Sequence, residues 1–289
     1  MTLMLGYNSL TSTKNKVASH FGGSSRHQVI DGEIIEVIKK IPDVKLGKNN
    51  FLKQKGNVNA DQLKEKNKRI YKLNKSKVRN KCNALCRLEM SKEFLAFYTI
   101  TFPAGLSDIK CYKLFNVWLT RCRRDAGLNT YMWVAERQKN GTIHFHLLTN
   151  DYMPIQNVNR FMAISINREL KKGLDGLEEV DIDKYNGVDV KRVGKKRNSI
   201  KSYLTKYVTK NNIEFYRLPW HCSRNISRLF TSINFEKEES ERYLEKLPTD
   251  RNKYIEYSNE YIKVKGFKFN PPESLYEELD SVNESIIKM

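Results

Sequence analysis

The 289-residue chain has few of the features that mark a secreted or membrane protein. Its five cysteines, Cys82, Cys86, Cys111, Cys122 and Cys222, are odd in number and unevenly spaced, which speaks against an extracellular disulfide framework and for a reducing cytoplasm. No apolar run approaches the roughly 18 residues of a spanning helix. The opening MTLMLGYNSL has neither a basic n-region nor a convincing apolar core, so no targeting segment and no membrane partner are expected. No G-x-x-x-x-G-K-[ST] occurs, which excludes a P-loop nucleotide site, and no repeat of 20 to 50 residues is present.

What is abundant is positive charge. There are 52 Lys and Arg against 33 Asp and Glu, a net charge of +19, with a pI near 9.6. The excess lies in the first three quarters: residues 226–289 carry 10 basic and 13 acidic side chains. Such a balance predicts a polyanionic partner, nucleic acid being the commonest. With 39% hydrophobic and 11% aromatic residues, the chain is too apolar for a disordered basic tail and long enough to bury a core.

Residues 1–50 mix Gly, Ser, Asn and Lys around one apolar run, IIEVI, and read as a loosely structured lead-in. From Asp61, an N-cap residue, apolar positions recur at helical spacing through a Lys/Arg-dense background, a basic amphipathic helix or helix pair that either contacts DNA or presents a solvated face. FLAFYTITF (94–102) reads as a strand ended by Pro103, followed by a helix from about 109 to 126 with Gly127 behind it. YMWVAER (131–137) and TIHFHLLT (142–149) form a hairpin. Residues 155–172 form a helix, VDIDKY (180–185) and VDVKRV (188–193) a second hairpin about Asn186-Gly187, and a last helix opens at Asn198 or Ser199. This order predicts an α+β fold: a central antiparallel sheet with helices on one side.

In TIHFHLLT, alternation puts Ile143, Phe145 and Leu147 on one face and His144 and His146 on the other, a preset pair of imidazole ligands. If Lys139-Asn140-Gly141 forms a three-residue loop with Gly141 left-handed, Glu136 falls opposite His144 and joins them. A two-residue Asn-Gly turn would shift the register by one and send Glu136 to the wrong face. Two imidazoles and a carboxylate suit Mg²⁺ or Mn²⁺, with Zn²⁺ open on ligand chemistry alone. Cys82-x-x-x-Cys86 has half the spacing of a zinc site but lacks a suitably spaced second pair, and His221-Cys222 reads as structural.

SIKSYLTKYVTK (199–210) contains Tyr-x-x-Lys twice. At about 100° per residue, Tyr203, Tyr207, Lys206 and Lys210 share one helix face beside a separate stripe of Ile200, Leu204 and Val208. Core packing is the commoner use of aromatics at this spacing, and the paired lysines weigh against it here. A phenol with a pKa near 10 is a weak nucleophile, and a metal with neighbouring ammonium groups would let it attack a phosphodiester. Lys195, Lys196 and Arg197, just ahead of this segment, would contact DNA phosphates or form a solvated loop.

FYTITF (97–102), WVAERQKNGTIHFH (133–146) and YLTKYVTK (203–210) together resemble, in their order, the three motifs of the HUH endonucleases. The tandem tyrosines make the chain similar to rolling-circle replication initiators of the single-stranded DNA phage gene A type. The resemblance covers about residues 94–225, which it marks as an HUH endonuclease domain between a basic, partly helical region 1–93 and an acidic extension 226–289. It implies an RRM-like central sheet and a site-specific nickase and strand transferase acting on single-stranded origin DNA. It further implies Glu136, His144 and His146 as metal ligands, Tyr203 and Tyr207 as nucleophiles acting in turn, and Lys206 and Lys210 as their helpers. With no P-loop, a separate host helicase and polymerase are expected as partners, in the host cytoplasm if the chain is viral. Within the same chemistry a plasmid relaxase or transposase is the alternative; outside it, a noncatalytic DNA-binding regulator.

Overall fold

The computed structural model describes residues 2–7, 9–13, 27–30, 33–36, 74–174, 176–193, 217–235, 237–258, 262–269 and 271–288. The N-terminal strands are β1 (Thr2–Gly6), β2 (Ser9–Thr13), β3 (His27–Ile30) and β4 (Glu33–Glu36). Helices α1 (Lys75–Arg87) and α2 (Glu89–Glu93) lead into β5 (Ala96–Ile100), α3 (Asp108–Asp125), β6 (Tyr131–Arg137), β7 (Ile143–Thr149), α4 (Ile155–Lys171) and β8 (Val188–Arg192). Then come β9 (Trp220–Cys222), α5 (Arg224–Arg228), β10 (Ser232–Phe235), α6 (Lys237–Glu245), β11 (Tyr254–Ser258), β12 (Ile262–Phe267) and α7 (Glu277–Lys288). None of the described helices is long and apolar enough to cross a membrane.

The fold is α+β, with two five-stranded antiparallel sheets. The central sheet has the order β8-β5-β7-β6-β9. Strict alternation makes it two-faced. Tyr98, Ile100, Trp133, Phe145 and Leu147 meet Leu114, Phe115 and Trp118 of α3 and Val158 and Met162 of α4 in one core. Phe115 and Phe145 stack there with ring centroids 4.0 Å apart, and the Trp118 indole N–H donates to Val158 O at 2.9 Å. On the opposite face Phe97, Leu148, Met132, Val134 and Cys222 pack with Val78, Cys82, Leu85 and Cys86 of α1 and with the second sheet. Each large side chain so buried contributes roughly 1.5–3 kcal/mol. Helices therefore lie on both faces of the central sheet, not on one as the element order suggested, because α1 carries an apolar stripe of its own.

Three further expectations change. Residues 1–13 are not a loose lead-in: β1 and β2 form a hairpin within the second sheet, β10-β1-β2-β12-β11, so strands from the start of the chain pair with strands beyond residue 230. The basic helix is described from Lys75, where the Asn74 side chain accepts from Lys77 N at 2.9 Å; Asp61, its expected cap, lies outside the described residues. The hairpin about Asn186-Gly187 does not form. Asn167 on α4 binds both N–H and C=O of Val180, at 2.9 and 2.8 Å, and Asn159 does the same for Val188, at 2.9 Å each. Val180 thus has its backbone groups satisfied by a side chain, while β8 takes β5 as its ladder partner. The tail follows its expected order of helix, hairpin and final helix.

Candidate metal centre

On the α1 side of the central sheet, apolar cover gives way to polar groups toward the β6–β7 loop: Met132 and Val134 are followed by Glu136, and Leu148 by His146 and His144. The loop fixes this alignment. Gly141 has φ +85°, its N–H donates to Gln138 O at 3.0 Å, and Gln138 N donates to Thr142 O at 2.9 Å. That is the three-residue loop, and Glu136 stands opposite His144 in register. Arg137 braces it from outside, donating to both Asp108 carboxylate oxygens at 3.1 and 2.8 Å and to Gly141 O at 2.7 Å.

Glu136 Oε2 lies 2.9 Å from His144 Nε2 and 2.8 Å from His146 Nε2. A carboxylate only accepts, so in this arrangement both Nε2 atoms carry the proton. Burial pushes the Glu136 carboxyl up, but the hydrogen bonds and charge of the two imidazoles outweigh it and hold it at about 2. Burial lowers the His146 pKa and keeps that ring neutral, the form that ligates metals. The side chain of His146 is only 3% exposed.

Among the described residues, these three form the cluster of His, Cys, Asp or Glu groups able to hold a metal ion, their ligand atoms lying within 4.8 Å of one another. One cation with bonds of roughly 2.0–2.3 Å can gather such a set. Two imidazole nitrogens and a carboxylate oxygen fit a divalent ion. Cys82, Cys86 and Cys222 are free, buried core residues.

Residues 95–212 match the family described as replication-associated protein ORF2/gene 2 protein. The match begins at the residue before β5 and includes the whole metal cluster. No curated protein and no solved structure gives a significant match.

Tyr203, Tyr207, Lys206, Lys210, Lys195, Lys196 and Arg197 lie outside the described residues. The described chain stops at Val193, past the end of β8, and resumes at Arg217, ahead of β9. These are opposite edges of the central sheet, four strand spacings or about 19 Å apart.

Sequence reasoning passed over Phe97 and Thr99. Thr99 is paired with His146 across β5 and β7, its Oγ1 3.3 Å from His146 Nδ1, and Phe97 stacks on the same imidazole with centroids 5.0 Å apart. The signal was the alternation of Phe97 and Thr99 in FYTITF, readable only once β7 is known to lie beside β5.

Proposed function

We propose that the chain is a rolling-circle replication initiator of the two-tyrosine HUH type, which nicks single-stranded origin DNA and later rejoins it. One observation carries this reading: Glu136 Oε2 lies within 2.9 Å of both His144 Nε2 and His146 Nε2, inside the segment matched to the replication-associated family. Glu136, His144 and His146 would hold Mg²⁺ or Mn²⁺, which when bound supplies Lewis-acid polarisation of a scissile phosphate. Tyr203 or Tyr207 attacks phosphorus: the tyrosyl O–P bond forms, the P–O3′ bond breaks, the phenol loses its proton and the 3′ oxygen gains one. Lys206 and Lys210 stabilise the charge developing on the phosphate oxygens. The 5′-phosphotyrosine keeps the bond energy, so a free 3′-OH reverses the step, and the second tyrosine takes the next strand.

Lys195, Lys196 and Arg197 would hold backbone phosphates. Residues 94–225 act as the endonuclease domain between the flanking regions 1–93 and 226–289, and strand separation and synthesis fall to a host helicase and polymerase in the host cytoplasm. The ends of the described chain at Val193 and Arg217 support this reading, since both edges of the sheet that bears the metal cluster lead into the tyrosine segment. Incubation with end-labelled single-stranded origin DNA and Mn²⁺ should yield a covalent protein–DNA adduct. An equal yield from the Tyr203→Phe/Tyr207→Phe variant, or from His144→Ala, would falsify the mechanism. A noncatalytic regulator predicts no adduct in any of these chains.

A further inference from the structure

We infer that Thr99 is a positioning residue for the cation site, its hydroxyl supporting the tautomer of His146 that turns Nε2 toward the ion. The inference rests on the reading of Glu136, His144 and His146 as ligands. His146 is held from two sides by β5. Phe97 lies against the flat of its ring at an interplanar angle of 22°, and Thr99, directly across the ladder, reaches Nδ1 with Oγ1 at 3.3 Å. Ring position is thereby set by packing, and proton position by the hydroxyl.

Without a cation, Glu136 accepts from Nε2–H of His146, so Nδ1 bears the lone pair and Thr99 donates to it. Coordination through Nε2 needs the lone pair there, and the neutral ring then carries its proton on Nδ1. A hydroxyl serves both states, because the same oxygen that donated can accept. Valine, of nearly the same shape, serves neither. His144 differs: its Nδ1 is buried with no hydrogen-bond partner among the described residues. The described structure thus supports the tautomer change at one imidazole, which makes His146 the anchored ligand.

The full chain is titrated with Mn²⁺ alone, following free Mn²⁺ by electron paramagnetic resonance. Thr99→Val should weaken binding by about 10- to 100-fold, and Thr99→Ser should restore it, as for other outer partners of metal-bound histidines. In ¹⁵N-correlated imidazole spectra of the wild type, the His146 proton should move from Nε2 to Nδ1 when Zn²⁺ is added. Wild-type binding that Thr99→Val matches overturns the role of Thr99 alone, whereas a wild type that binds no Mn²⁺ overturns the ligand reading with it. Should Thr99→Val fail to fold, the wild-type spectra decide, and a proton that stays on Nε2 overturns the inference.

Discussion

Glu136 and His144 face each other across a hairpin whose register depends on one loop residue. Deleting Lys139 leaves Asn140-Gly141 as a two-residue turn and slides β6 by one position against β7. Glu136 then turns toward the α3–α4 side while His144 and His146 keep theirs. The deletion is expected to abolish Mn²⁺ binding measured by titration while the helical signal in circular dichroism persists. Retained affinity in the deleted chain would sink the three-ligand assignment.

Gly141→Ala is the milder version of the same test. Its φ of +85° is costly for a residue with a Cβ, although nothing stands within 4 Å of the added carbon. A loss of about 1–2 kcal/mol is expected in urea unfolding from backbone conformation alone. Metal affinity should stay close to wild type, because the loop keeps three residues.

The acid limb of stability has a calculable sign. The Glu136 carboxyl is held at about 2 against an ordinary value of 4.5, so as pH falls the unfolded chain takes up this proton first. Its contribution is complete above about pH 4.5 and drains as pH falls toward 2. His146 acts in the same sense, since burial lowers its pKa below the ordinary 6.5 and protonation favours the unfolded chain from there downward. Urea unfolding in the presence of a chelator should show a shallower decline for Glu136→Gln than for wild type between pH 4.5 and pH 2. A parallel decline would contradict this account.

The metal cluster was largely legible in the sequence because its determinants are local. Alternation places His144 and His146 together, and six residues around a glycine set their register with Glu136. The second sheet was not legible, because TLMLG and SLTST acquire their meaning from partners more than 200 residues away, such as Phe235 against Leu3 and Lys265 against Leu10. VDIDKY misled for another reason. Its period of two is real, but Asn159 and Asn167, a turn or more apart on α4, bind the backbone of Val188 and Val180, and no sequence period announces such bonds.

Arg137→Ala tests how far the bracing of the loop reaches the site. The guanidinium ties Asp108 at the start of α3 to Gly141 O, and both side chains of the ion pair are about a quarter exposed. Its loss is expected to cost about 1 kcal/mol in urea unfolding. Mn²⁺ affinity should fall only a few-fold, since Gly141 and the ladder still hold the register. A drop as large as that of His144→Ala would mean that Arg137 has a more direct part at the ion.

The acidic tail is bound to the rest of the molecule by one guanidinium. Arg87, at the last turn of α1, donates to both carboxylate oxygens of Asp280 on α7 at 2.6–2.9 Å and lies 4.7 Å from the Tyr276 ring centre. Asp280 holds the Arg87 guanidinium firmly charged despite its burial, and the pair is less than a fifth exposed. Removing one partner leaves the other charged and largely desolvated, so Asp280→Ala should lower the unfolding free energy by about 3–5 kcal/mol. Because α1 also roofs the central sheet beside the metal cluster, the transition should remain single, with the tail and the sheet lost together. A separate early transition confined to the tail would show that the second sheet folds as a unit of its own.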